Sequence, residues 1–162
     1  MLGHISFDDR PLMTQLLSCV NQSTRNSSET TRFAAETVAK AISADYQEWD
    51  VDSLVEGYRA IVEGGLGREL TWETDDLPLQ NIQARVRAPG VWMLTNIRNA
   101  LLLSTSNRSE AAVGYATMDG DTSGGLSPIS GIDKAFLRQW LFWMETEGCE
   151  PDITPIPELN AI

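Results

Sequence analysis

Charged and hydroxyl residues bunch in one stretch of this chain, Leu77–Lys134. At its centre Thr105-Ser106-Asn107-Arg108-Ser109-Glu110 follows the apolar run Ala100-Leu101-Leu102-Leu103, and Gly120-Asp121 and Lys134 come after it. A buried strand that ends in Ser, Thr or Asn and then opens a helix is where α/β sheets hold ligands. Thr105 can offer its hydroxyl to a phosphate. Glu110, one helical turn into the next helix, can face the same crevice and hold a magnesium ion against phosphate charge. The same spacing also suits a plain capping role for Ser106 and Glu110 on a short helix. Upstream, Asn81 and Arg85 stand four apart and share a helical face, while Arg87 points elsewhere. Asn and Arg on one face can grip a carboxylate or phosphate through paired hydrogen bonds. A solvated face with surface ion pairs would use the same residues. Asp121 lies in a loop with Gly120, Gly124 and Gly125, which can close over a ligand or simply turn the chain. Lys134 opens the last helix, where its charge opposes the helix dipole unless an anion stands nearby.

The elements that must position these residues follow from periodicity. Met13–Val20 reads as a buried strand through Leu16, Leu17 and Val20, followed by a polar loop, Asn21–Ser28, rich in helix N-cap residues. Glu29–Ile42 is helical, with Phe33, Ala34, Val38 and Ile42 near helical spacing. Asp45–Val51 is a second strand. Asp52 and Ser53 cap a helix through about Gly64, and Gly64-Gly65-Leu66-Gly67 breaks it. Leu77–Asn99 is a long helical pattern that Pro89-Gly90 kinks or splits. Ala100–Ser104 is the third strand, Asn107–Val113 a short helix and Tyr115–Pro128 a loop. Asp133–Glu147 is the last helix, with Phe136, Leu137, Trp140, Leu141 and Met144 on one face. Two short runs, Thr122-Ser123-Gly124-Gly125 and Ser130-Gly131-Ile132-Asp133, look like scraps of a phosphate loop, but neither joins a convincing strand to a helix, and no Walker loop is present. The order of elements predicts an α/β domain with a parallel sheet flanked by helices and right-handed crossovers. Three strands are few for such a sheet, so the chain reads as an incomplete domain, with residues 1–12 and 151–162 as loose ends.

Composition narrows the function. The 162 residues suit one domain, and 42% hydrophobic content with five Trp marks a globular chain. A net charge of −11 argues against non-specific nucleic-acid binding but leaves room for an anionic ligand at a local cluster of Arg and Lys. The single His4 argues against Ser-His-Asp and Cys-His relays and excludes a His-rich metal site, so a metal would need carboxylate oxygens, as magnesium does. Cys19 and Cys149 read as reduced thiols in a cytosolic protein. No apolar run approaches the roughly 18 residues of a membrane span, and Met1–Arg10 has no signal-peptide core. A cytoplasmic protein is expected, with no nucleic-acid or membrane partner.

The run Leu79-Gln80-Asn81-Ile82-Gln83-Ala84-Arg85-Val86-Arg87, then Leu103 through Glu110, then Val113-Gly114-Tyr115 and Gly120-Asp121, strongly resembles NAD synthetase, from roughly Leu16 to Trp143. The resemblance implies an adenine-nucleotide alpha-hydrolase-like, Rossmann-like fold and an ATP-dependent amide ligase acting on deamido-NAD. It implies that Asn81, Arg85 and Glu110 bind deamido-NAD together with Tyr115, Ala116, Thr117 and Met118. Thr105 and Lys134 resemble ATP contacts, Glu110 the magnesium-site carboxylate, and Asp121 an acid close to the reacting carboxyl group. The helix carrying Asn81 and Arg85 lies at a dimer interface in the family, so a homodimer or larger homo-oligomer is expected. The chemistry suits these residue types. A nicotinate carboxylate is a poor electrophile, so it attacks the α-phosphate of ATP and becomes an acyl-adenylate, which ammonia, free or derived from glutamine, then attacks. Magnesium and lysine would neutralise the pyrophosphate leaving group, and an acid beside the ammonia would orient it or take its proton.

Departures from the family pattern set the competing readings. The family's Ser-Gly-Gly-x-Asp-Ser loop is not in this sequence, nor are its last strand region and a glutaminase domain. The chain is therefore read as an internal segment of the synthetase domain that alone does not complete adenylation. A different adenylating member of the same superfamily is the second reading, and a non-catalytic nucleotide-binding or dimerising relative is the third.

Overall fold

The computed structural model describes residues 11–147; His4, Cys149 and the segments 1–10 and 148–162 lie outside the described residues. The described residues divide into two compact units, one comprising 11–49 together with 140–147, the other Asp50–Gln139.

In the first unit a short helix α1 (Leu12–Leu16) leads into strand β1 (Ser18–Ser23), helix α2 (Glu29–Ala41) and strand β2 (Asp45–Asp50). The strand expected over Met13–Val20 is thus shifted. Its first half coils into α1 after Pro11, while the polar Asn21, Gln22 and Ser23 continue the strand. Pairing with β2 decides this, because a strand's ladder bonds come from backbone groups and tolerate polar side chains. Asp45 N–H donates to Leu17 O at 2.9 Å at one end, and Ser23 Oγ donates to Trp49 O at 3.4 Å at the other. Both strands therefore run in the same direction, joined by α2 as the crossover. Ser28 caps α2 by accepting Thr31 N–H at 3.1 Å, as its residue type predicts. The stripe that α2 buries is narrower than its spacing suggests. Ala34 and Ala39 are buried, whereas Phe33 is 64% exposed. Small alanines let a helix lie close to the neighbouring strand, and α2 packs against β1.

In the second unit helix α3 (Asp52–Leu66) is followed by α4 (Asp76–Arg85), α5 (Arg87–Arg98) and α6 (Arg108–Ala112), and α7 (Lys134–Thr146) begins there and continues as residues of the first unit. α3 runs straight through Gly64 and Gly65 and ends at Gly67, whose φ of +67° forms a left-handed C-cap with its N–H on Glu63 O at 2.9 Å. Between α3 and α4 the chain is fixed by Arg68, whose fork meets both oxygens of Asp75 at 2.7 and 2.8 Å. The long Leu77–Asn99 pattern is indeed split, but at Val86 rather than at Pro89-Gly90. Pro89 has no N–H to donate to the carbonyl four residues back, so the helix restarts at Arg87 and Pro89 falls in its first turn, where no N–H is needed.

The third strand expected over Ala100–Ser104 is only a single parallel bridge between Leu103 and Leu126. Around it, Gly125 N–H donates to Leu102 O at 2.9 Å and Ser104 N–H to Leu126 O at 2.8 Å. The segment behaves as a strand without enough paired neighbours among the described residues to be one. Val51, Val55, Leu70, Leu79, Val86 and Ala88 form the buried apolar set of this unit. No helix of the described residues is long and apolar enough to cross a membrane.

Candidate functional site

Every candidate site residue falls in the second unit, on α4, the 103–107 segment, α6, the 113–126 loop or the start of α7. α4 and the loop are clasped together. Asn81 and Arg85, one turn apart on α4, each take hold of the loop. Thr117 Oγ1 donates to Asn81 Oδ1 at 3.1 Å, and Arg85 Nε donates to Met118 O at 3.1 Å. The loop is folded back on itself by Asp121, whose Oδ2 accepts Thr117 N–H at 2.8 Å, and by Gly120 N–H on Thr117 O at 3.1 Å. Asp119, between them, adopts φ +62°. Gly120 is required by proximity: a Cβ there would lie 2.9 Å from the Ala84 carbonyl carbon and 3.1 Å from its Cβ. Ala84 and Gly120 are thus the small pair that lets the loop lie on the helix between Asn81 and Arg85.

Tyr115 and Met118 project from this loop, 77% and 66% exposed. Tyr115 is set by its own N–H on Glu110 O at 2.9 Å, just past Gly114 at φ +72°. The arrangement leaves an aromatic and a thioether exposed on the loop that Asn81, Arg85 and Asp121 hold. Such a surface suits a ligand with a flat ring and an anionic group.

The capping role weighed for Glu110 is realised. Asn107 Oδ1 accepts Glu110 N–H at 3.1 Å, and Glu110 Oε2 accepts Asn107 N–H at 3.2 Å, a reciprocal capping box. Ser106 Oγ donates to the same Oε2 at 3.3 Å. The other oxygen, Oε1, lies 3.9 Å from Lys134 Nζ. This is the anion that the position of Lys134 at a helix start calls for. Lys134 is held there by its N–H on Ser109 Oγ at 3.0 Å, and Arg108 bonds Asp133 at 3.1 Å across the same junction. Thr105 is exposed, between the buried Ser104 and the half-buried Ser106. Among the described residues no group of three or more His, Cys, Asp and Glu could hold a metal ion. Glu110 is the carboxylate that would face a magnesium ion here. A magnesium ion that kept waters and took phosphate oxygens as further ligands would need no more than that.

Three residues of this region escape a reading by charge and motif. Ser104, 7% exposed, accepts Gly124 N–H on its Oγ at 2.7 Å. Trp92 on α5 donates Nε1–H to Ser123 O at 2.9 Å. Asn107, 6% exposed, is the buried cap of α6. Only Asn107 had a local signal, the Asn-x-x-Glu spacing of a capping box. The other two act on the backbone of residues 20 and 31 positions away.

Comparison with known proteins gives a consistent picture. The family model described as NAD synthase matches residues 13–155. A glutamine-dependent NAD(+) synthetase from Oryza sativa subsp. indica is 32% identical over 87% of this chain and 21% of its own length. One from Rhodobacter capsulatus is 39% identical over 55% of this chain and 16% of its own length. The chain thus spans about a fifth of these relatives. Among solved structures, a glutamine-dependent NAD(+) synthetase from Cytophaga hutchinsonii superposes with a TM-score of 0.81 at 55% identity, covering 83% of this chain and 23% of that one. An NH3-dependent NAD synthetase from Campylobacter jejuni shares the fold, with a TM-score of 0.67 at 20% identity over 80% of this chain and 53% of that one.

Proposed function

The chain belongs to the NAD synthase family, and from that premise we propose that it carries the deamido-NAD side of a site that converts deamido-NAD to NAD. The observation that carries the reading is the clasp of α4 on the loop. Asn81, Arg85, Thr117 and Met118, assigned to deamido-NAD by resemblance, and Asp121, assigned beside the reacting carboxyl group, are linked by three hydrogen bonds of 2.8–3.1 Å. In this reading Arg85 and Asn81 hold the anionic part of deamido-NAD. Tyr115, Ala116, Thr117 and Met118 line its ring, and Glu110 and Lys134 flank the phosphates, with Thr105 on the ATP side. The carboxylate oxygen of deamido-NAD attacks the α-phosphorus of ATP and pyrophosphate leaves. Ammonia then attacks the acyl carbon, AMP leaves, and Asp121 orients the ammonia and takes a proton. Glu110 would hold a magnesium ion, which would supply charge neutralisation for the pyrophosphate leaving group. Ammonia reaches the site free or from glutamine. The residues act as part of one synthetase domain, in a homodimer, in the reducing environment that the free thiol of Cys19 suits.

Calorimetric titration of deamido-NAD into the 162-residue chain tests this. Binding is expected, weakened at least about tenfold by Arg85→Ala, the usual scale for losing a charged hydrogen bond, and unaffected by Arg138→Ala on α7. No heat of binding to the unaltered chain, or an Arg85→Ala variant that binds equally well, would overturn the reading. The chain contains no Ser-Gly-Gly-x-Asp-Ser run, so the chain alone is expected to bind without releasing pyrophosphate from ATP.

A further inference from the structure

We propose that Ser104 and Trp92 are positioning residues for the Asp121 turn, acting through the backbone of the loop rather than by touching substrate. The proposal rests on the site reading above but concerns residues outside it. The turn from Thr117 to Asp121 is closed internally by Asp121 Oδ2 on Thr117 N–H, so its shape is self-contained while its placement is not. Its near end is set on α4 by Asn81, Arg85 and the Ala84–Gly120 contact. Its far end is set twice within two residues. Trp92 Nε1 donates to Ser123 O at 2.9 Å, and Ser104 Oγ accepts Gly124 N–H at 2.7 Å. Ser123 N–H is in turn bonded to Gly120 O at 3.1 Å, which ties this far anchor directly to the turn that holds Asp121.

The fit at the far anchor is tight. A Cβ on Gly124 would stand 2.4 Å from Ser104 N and 2.6 Å from Ser104 Oγ, so the loop backbone lies directly on Ser104. A buried serine spent on one loop amide, next to the candidate ATP contact Thr105, also makes the two substrate sides share a backbone segment. Misplacing a reacting group by a fraction of an ångström is costly even when the fold is intact. Two anchors on rigid neighbours are how such a group is kept in place.

Hydrogen exchange of the 162-residue chain, read at single amides by NMR, tests the proposal. Thr117 N–H reports the Asp121 turn, and Val86 N–H on Ile82 O reports α4. Ser104→Ala and Trp92→Phe are each expected to speed exchange at Thr117 by about tenfold while leaving Val86 unchanged. Trp92→Phe keeps the apolar ring and serves if Ser104→Ala does not fold. Deamido-NAD affinity supplies the functional arm. Each variant is expected to bind about tenfold more weakly, and the loss should shrink to less than about twofold when Asp121→Ala has already released the turn. Unchanged Thr117 exchange in both variants would overturn the proposal, as would affinity losses that simply add to that of Asp121→Ala. Absence of deamido-NAD binding by the unaltered chain would instead overturn the site reading, and the exchange arm would still decide the role of the two anchors.

Discussion

Asp75 gathers four hydrogen bonds on one carboxylate: two from the Arg68 fork at 2.7 and 2.8 Å, one from Thr74 Oγ1 at 2.8 Å and one from Thr71 N–H at 3.1 Å. The Arg68 guanidinium first, then the Thr74 hydroxyl and the Thr71 amide, hold its carboxyl well below the usual carboxylate range. A carboxyl depressed in the fold contributes stability that is fully present above its unfolded value, near 4. That contribution is lost as pH falls through the folded value. Acid denaturation should therefore be shallower in Asp75→Asn than in the unaltered chain below about pH 4. At neutral pH that variant should melt lower, whereas Glu73→Gln on the exposed turn beside it should not. Differential scanning fluorimetry across pH 2–7 checks both, and identical acid slopes would refute the assignment. Glycine tells a second residue-scale story. Gly120→Ala and Gly124→Ala drive a Cβ into backbone atoms at 2.9 and 2.4 Å, whereas Gly131→Ala meets nothing within 4 Å. The first two should each destabilise by about 1–3 kcal/mol and weaken deamido-NAD binding, with Gly131→Ala near neutral. Equal urea midpoints for all three would contradict the close approach. Charge and spacing made Asn81, Arg85 and Asp121 legible as candidates. They could not reveal Ala84 and Gly120 as a contacting pair, because small residues announce nothing about what they let approach.

At the scale of elements, α3 shows where local rules were misread and why. Gly64-Gly65-Leu66-Gly67 reads as one break, yet the helix passes through the first two glycines and ends only at the third, the one with positive φ. Glycine is costly but not forbidden in a helix interior, and only the left-handed cap has a use for it. Gly57, Gly64 and Gly65 have open space where a Cβ would go. Gly57→Ala and Gly64→Ala should therefore each stabilise by about 0.5–1 kcal/mol, and Gly67→Ala should destabilise by about 1 kcal/mol. Thermal melts that moved all three in one direction would show that the cap is misassigned. Elsewhere, α2, β2, α6 and α7 lie within a residue or two of where periodicity and capping put them, because their signals are local. The start of β1 and the 100–104 segment do not, because strand identity is conferred by the partner. β1 gained polar residues from pairing with β2, and among the described residues Leu103 found only Leu126. The split of Leu77–Asn99 was legible in kind but not in place, since the proline acts on the turn before it.

For the molecule as a whole, the expected self-association must be weighed against charge. A net charge of −11 on 162 residues makes two copies repel at long range. The attractive side is apolar: α5 leaves Met93 and Ile97, one turn apart, 65% and 76% exposed, and α5 is the second half of the Leu77–Asn99 pattern that resemblance to the family assigns to a dimer interface. Burying side chains of that size yields about 1.5–3 kcal/mol each when complete, but any association first loses several kcal/mol of rigid-body freedom. The balance is therefore close enough for screening to matter. Raising salt from 0.05 to 0.5 M shortens the Debye length to less than about half and removes much of the repulsion without weakening apolar contact. Sedimentation velocity at about 30 μM, within reach of the micromolar scale of affinity, should show the dimer fraction rising with salt. An association driven by ion pairs would fall instead. Ile97→Glu places a charge in the proposed seam and should hold the chain monomeric at both salts with an unchanged melting temperature. A chain that stays monomeric throughout, or an Ile97→Glu variant that dimerises as well as its parent, would remove α5 from the interface and leave the proposed deamido-NAD site to stand within a single copy.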